Sequence, residues 1–103
     1  MASLCSEEYK DQDFIVIPNA KIEGRHSEAS RQVDVLIDYR FNHDKERRII
    51  VDAKRYNRPL NVKDIESFHG MMEDCSASTG ILVCPKGYTN AAKKRARNYI
   101  RLK

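Results

Sequence analysis

Two acidic residues sit inside runs that otherwise read as buried strand. Asp34 interrupts Val33-Asp34-Val35-Leu36-Ile37, and Asp52 interrupts Ile49-Ile50-Val51-Asp52-Ala53-Lys54. An ionised carboxylate among apolar strand neighbours is costly unless it is paired or bound to a cation. Any fold this chain adopts must therefore bring compensating groups to both acids. The intervening Asn42-His43-Asp44-Lys45-Glu46 has turn chemistry, so the two runs are expected to be the arms of an antiparallel hairpin. A turn centred on His43 puts Asp34 directly opposite Asp52, with Cβ atoms about 4.5–5.5 Å apart. Lys54 lies two residues beyond Asp52 and so shares its face. Two carboxylates and an ammonium are thus predicted on one sheet surface.

The rest of the chain supplies the frame. The polar residues 1–12 read as a frayed segment or a short helix. Asp13 to Glu23 carries β-branched residues and stops at Gly24, which reads as a strand with Pro18 marking an edge or a bulge. Gly24 to Arg31 is a loop, Gln32 to Phe41 a second strand and Arg47 to Arg55 a third. Apolar residues at helical spacing predict a helix from Val62 to about Cys75, with Asn61 as N-cap and Asp64 in the first turn. Thr79-Gly80 opens a short apolar strand, Ile81 to Cys84, stopped by Pro85. Thr89 then caps a last helix from Asn90 to about Leu102. The order β-β-β-α-β-α implies an α/β fold, with a mixed four-stranded sheet flanked by helices.

Composition excludes several classes. At 103 residues there is room for a single domain spanning 1–103. A chain that is 41% hydrophobic and 33% charged suits a packed soluble protein. No apolar run reaches the roughly 18 residues of a membrane span. The N-terminus lacks the basic patch and apolar stretch of a secretory signal, so a cytoplasmic location is expected. Cys5, Cys75 and Cys84 show no zinc-type spacing and read as reduced thiols, with Cys75 and Cys84 in the core. The net charge is +4, and Lys86 to Lys103 holds seven basic residues and no acid. That segment favours a phosphate backbone, although a solvated helix face has the same composition.

Two carboxylates about 5 Å apart on neighbouring strands suit a hard divalent cation. Such an ion polarises a phosphoryl oxygen and acidifies water, and a neighbouring lysine can orient or deprotonate that water. The set fits phosphodiester hydrolysis. From spacing alone, a metal-free Asp–Lys–Asp ion-pair cluster fits as well.

Val33-Asp34-Val35-Leu36-Ile37 followed by Asp52-Ala53-Lys54 resembles the PD-(D/E)XK motif of restriction-endonuclease-like nucleases. The stretches RQVDVLIDYR, IIVDAKRYNRPLNVKDIESFHGMM and STGILVCPKGYTNAAKKRA are similar to the Mrr-type restriction endonuclease branch. The resemblance implies a Mg²⁺-dependent DNA endonuclease, with Mn²⁺ as a substitute. It implies Asp34 and Asp52 as metal ligands, the Ala53 backbone carbonyl as a further one, and Lys54 acting at the attacking water. Val33 stands where the motif name has proline, and Asp52 where relatives often carry Glu. The family core also begins with a helix that often supplies another acid. Only 12 residues precede Asp13, so the expectation is that the helix is short or missing, that the chain is a trimmed domain, or that a second subunit completes the site, with Glu7, Glu8 and Glu23 as candidates for the acid.

For DNA contact the sequence offers Arg55, Tyr56 and Arg58 just beyond Lys54, then Lys86, Thr89, Lys93, Lys94 and Arg97 at the last helix. His69 and Glu66 read as a packed histidine and a solvent-facing acid. One site cuts one strand, so double-strand cleavage implies a homodimer or a larger assembly. A nucleic-acid-binding module without turnover and a branched-DNA (junction) nuclease are the alternative functions.

Overall fold

The structure is a computed structural model that describes residues 14–39, 48–97 and 99–103. Strand β1 (Phe14–Glu23) pairs antiparallel with β2 (Ser30–Tyr39), and β2 pairs antiparallel with β3 (Ile49–Ala53). Helix α1 (Val62–Asp74) crosses to β4 (Thr79–Val83), and helix α2 (Asn90–Ala96) crosses to β5 (Ile100–Leu102). The three last strands run parallel, and the sheet order is β1-β2-β3-β4-β5. The reading of residues 1–12, the turn at Asn42–Glu46, and Cys5, Glu7 and Glu8 lie outside the described residues. No described helix is long and apolar enough to cross a membrane.

Right-handed crossovers between successive parallel strands put both helices on one face of the sheet. That face holds the core: Leu36, Ile50 and Leu82 from the strands, Ile65, Phe68 and Met72 from α1, and Ala92 and Ala96 from α2. Helix α1 approaches closely because Gly80 has no side chain. A Cβ there would lie 2.3 Å from Phe68 Cε2 and 2.7 Å from Met72 Sδ. The helix starts at a complete capping box. Asn61 Oδ1 accepts the Asp64 N–H at 3.1 Å, and Asp64 Oδ2 accepts the Asn61 N–H at 2.8 Å. Thr89 caps α2 by accepting the Ala92 N–H at 3.1 Å. Cys75 and Cys84 are free and buried, as expected.

The end of the chain corrects the sequence reading. The last helix does not reach Leu102 but stops at Ala96, where Arg97 takes φ 42°. Ile100–Leu102 becomes a fifth strand, so the sheet is five-stranded rather than four-stranded. The physical reason is the free edge of β4. Gly80 N–H donates to Tyr99 O at 3.0 Å and Lys103 N–H to Leu82 O at 2.9 Å, and Ile100 is buried. Long-range pairing thus outweighs helix propensity, which is worth only tenths of a kcal/mol per residue.

The sheet is irregular at one place. The β1–β2 ladder keeps a single register but skips the rung between Pro18↔Val35 and Ala20↔Val33, where Asn19 has φ 50°. The skipped position faces Asp34. Val33 and Leu36 are both buried, although strict two-residue alternation would expose one of them. The irregularity at Asp34 absorbs the difference.

Candidate active site

The β2–β3 ladder runs Ile37↔Ile49, Leu36↔Ile50, Val35↔Val51, and ends one rung short of Asp34 and Asp52. This is the register expected from a turn at His43. Beyond Val35↔Val51 the two acids replace the backbone ladder with their side chains. Asp34 Oδ2 accepts the Ala53 N–H at 2.7 Å, and Asp52 Oδ1 accepts the Asp34 N–H at 3.4 Å. Asp34 thus has no ladder rung on either side, while β3 stays paired to β4 through Asp52↔Leu82 and Ala53↔Val83. The opening lies at the carboxyl ends of β3 and β4, where open α/β sheets accept ligands.

Asp52 is 8% exposed, on the helix-covered face. Its Oδ2 lies 3.1 Å from Lys54 Nζ. The backbone holds the lysine in place, since Lys54 N–H donates to Val83 O at 2.8 Å. Asp34 is exposed on the neighbouring strand. The structure therefore sets Asp34 beside the end of β3, linked to Asp52 and Ala53 by hydrogen bonds, while Lys54 pairs with Asp52. A cleft of about 210 Å³ opens beside Asp52 and Lys54, lined also by Arg31, Tyr56, Asp64 and α1 residues Ser67, Phe68 and Met71. Asp34 does not line it.

The donor chemistry fits a hard cation of modest protein denticity. Two carboxylates and the Ala53 carbonyl are all oxygen donors, as Mg²⁺ prefers, and Mg²⁺ commonly takes only one or two carboxylates plus waters and phosphate. Among the described residues no three His, Cys, Asp or Glu side chains form a metal-holding group. Glu23, proposed as a further acid, is exposed at the far end of β1 opposite Ser30 and does not line the cleft.

The residues expected to contact DNA divide into two places. Tyr56 lines the cleft and Arg55 is exposed next to it. Arg58 is engaged within the protein: its terminal nitrogens reach Asp64 at 2.7 and 3.2 Å, and its guanidinium lies 4.9 Å from the Tyr56 ring centroid. Arg58's hydrogen bond, followed by the Asn61 N–H and the Lys54 charge, holds the Asp64 carboxyl below its ordinary value against the opposing effect of burial. Lys86, Thr89 and Lys93 are exposed around α2. Lys94 and Arg97 line a separate open groove with Val62, Ala91, Arg95 and Tyr99, away from the cleft residues. His69 pairs with Glu73 at 3.1 Å and meets Tyr99 edge-on at 5.9 Å, while Glu66 is exposed with Arg95 3.8 Å away.

Sequence reading missed Arg31, Asp64 as a cleft residue, and Asp74. Asp74 is 4% exposed in the last turn of α1, where the helix dipole disfavours an acid. That misplacement was the available signal. Its compensation comes from the β1–β2 loop and the start of β2: Oδ1 accepts the N–H of His26 (2.8 Å) and Ser27 (3.0 Å), and Oδ2 accepts Ser27 Oγ–H (2.6 Å) and Arg31 Nε–H (2.9 Å).

A family model described as "Restriction endonuclease" matches residues 3–103. Among solved structures, a crystal structure of a protein of unknown function superposes with TM-score 0.66 at 17% identity, covering 98% of this chain and 54% of that one. A repair endonuclease from Pyrococcus abyssi superposes with TM-score 0.54 at 22% identity, covering 100% of this chain and 44% of that one. At these identities the likeness shows the fold. The chain spans about half the length of these two proteins. No curated protein matches.

Proposed function

The chain belongs to the restriction endonuclease family, and on that premise we propose that it is a Mg²⁺-dependent DNA endonuclease of the Mrr type, acting through Asp34, Asp52 and Lys54. The observation that supports this most is the strand end itself. Two acids are held where the β2–β3 ladder opens, each bonded to a backbone N–H across the gap, with Lys54 Nζ 3.1 Å from Asp52. A scaffold has no need of this, since an apolar pair at 34 and 52 would continue the ladder at lower cost.

In this reading Asp34, Asp52 and the Ala53 carbonyl hold Mg²⁺, with Mn²⁺ able to replace it. The bound cation would neutralise charge on the phosphoryl oxygens and make a nearby water more acidic. Lys54 Nζ, positioned by Asp52, orients the attacking water and stabilises charge building on the phosphate. Tyr56 and Arg55 flank the scissile region, and the basic face of α2 with Lys86, Lys93, Lys94 and Arg97 holds the duplex further along. One such site hydrolyses one strand, so a double-strand break requires two copies.

The test is cleavage of supercoiled plasmid by wild type and Lys54→Ala, with Mg²⁺, with Mn²⁺ and with chelator. Metal-dependent nicking that falls about 10²–10³-fold in the variant is expected. Salt-sensitive DNA binding with no cutting under any metal would replace this reading with a binding module. Cutting confined to four-way junctions in a substrate panel would make it a junction nuclease.

A further inference from the structure

Arg31 stands on β2, three residues before Asp34, and lines the same cleft as Asp52 and Lys54. Its side chain is 37% exposed. It is held by one nitrogen: Nε–H donates to Asp74 Oδ2 at 2.9 Å. The terminal nitrogens make no hydrogen bond within the described residues. Among the described residues the side chains of Arg25 and Arg97 are likewise bonded through Nε alone, but neither lines the cleft. Arg58 spends its terminal pair on Asp64, and Arg48 spends its pair on Cys75 O and Asp38.

The anchor is built rather than incidental. Four donors fill the lone pairs of Asp74, three of them from His26 and Ser27 in the β1–β2 loop. Gly24 leaves room for the carboxylate, because a Cβ there would lie 2.1 Å from Asp74 Oδ2. Those donors, the Ser27 hydroxyl first, hold the Asp74 carboxyl well below the usual range, so the anchor stays charged at any working pH. A guanidinium fixed through Nε keeps its outer fork of N–H groups, which matches two oxygens of one phosphate.

We propose that Arg31 binds a backbone phosphate of the nucleic acid at the Asp52–Lys54 cleft, with Asp74 acting as a positioning residue that fixes its guanidinium. The inference rests on the nuclease reading for the identity of the anion, and on the Arg31–Asp74 geometry for the residue.

The test is equilibrium binding of a labelled DNA duplex in Ca²⁺ across a salt series, with wild type, Arg31→Gln, Arg31→Lys and Ser27→Ala. Thermal melts of each variant confirm folding. Arg31→Gln should bind about tenfold more weakly, and its slope of log affinity against log salt should fall by about one. Arg31→Lys should keep the slope with a smaller loss, because it keeps the charge but not the fork. Ser27→Ala weakens the anchor without removing the cation and should keep the slope. An Arg31→Gln slope equal to wild type overturns the inference, as does an equal loss of slope in Ser27→Ala, or a wild type that binds no DNA. If the Arg31 slope effect is present but wild type fails to cut with Mg²⁺, the inference stands and the hydrolytic reading falls. If wild type cuts and Arg31→Gln keeps its slope, only the inference falls.

Discussion

The carboxylate of Asp34 accepts the backbone N–H of Ala53 at 2.7 Å, across the point where the β2–β3 ladder stops. A side chain thus does what a backbone carbonyl does one rung earlier. This makes the charge of Asp34 separable from its hydrogen bond. Asp34→Asn keeps an acceptor for Ala53 and should melt within a degree or two of wild type, whereas Asp34→Ala should lose about 1 kcal/mol. Both should lose metal-dependent cleavage by about 10²-fold or more. An Asp34→Asn protein that cuts at the wild-type rate would remove Asp34 from the proposed site.

Lys54 has a structural as well as a proposed chemical part. Removing it leaves the largely buried Asp52 carboxylate without its ammonium partner, 3.1 Å away. Lys54→Ala should cost about 1–2 kcal/mol in urea unfolding, between the values for exposed and buried pairs. Adding Lys54→Ala to Asp52→Asn should then cost much less than it does in wild type, since no buried charge is stranded. Simple additivity in that double-mutant cycle would mean the ion pair contributes nothing to the fold.

Asp74 predicts an acid-dependent stability. Its carboxyl is held below the ordinary 3.8 by Ser27, His26 and Arg31. A depressed folded-state value gives stability that is fully present above the unfolded value and lost as pH falls through the folded one. Asp74→Asn should therefore lower Tm at pH 7, and its gap to wild type should narrow only below about pH 3.8. The melting curves of the two proteins against pH check this. A gap that closes instead between pH 7 and pH 5 would contradict the assigned cause.

Gly80 tests the packing of α1 on the sheet. A Cβ at that site would meet Phe68 Cε2 at 2.3 Å and Met72 Sδ at 2.7 Å. Gly80→Ala should cost about 1–3 kcal/mol by overpacking. Part of that loss should return in Gly80→Ala with Phe68→Leu, which removes the nearer obstacle. Unchanged stability of the single variant by urea titration would show that the helix can retreat freely.

What the sequence determined is what depends on neighbours along the chain. Strand alternation and the turn chemistry of Asn42-His43-Asp44-Lys45-Glu46 are enough to predict the register that ends beside Asp34 and Asp52. The two-residue step from Asp52 to Lys54 set their shared strand face, and Asn61, Asp64 and Thr89 set the helix starts. Each of these follows from strand or helix periodicity and from local hydrogen bonding. Tertiary structure decided the rest. Ile100–Leu102 became a strand because β4 offered an unpaired edge, against a local pattern that reads as helix. Arg31 and Asp74 met across 43 residues of chain, because the β1–β2 loop docks on the end of α1. No local pattern encodes either contact, since backbone and charge satisfaction between remote segments is settled only when the whole sheet and its helices close together.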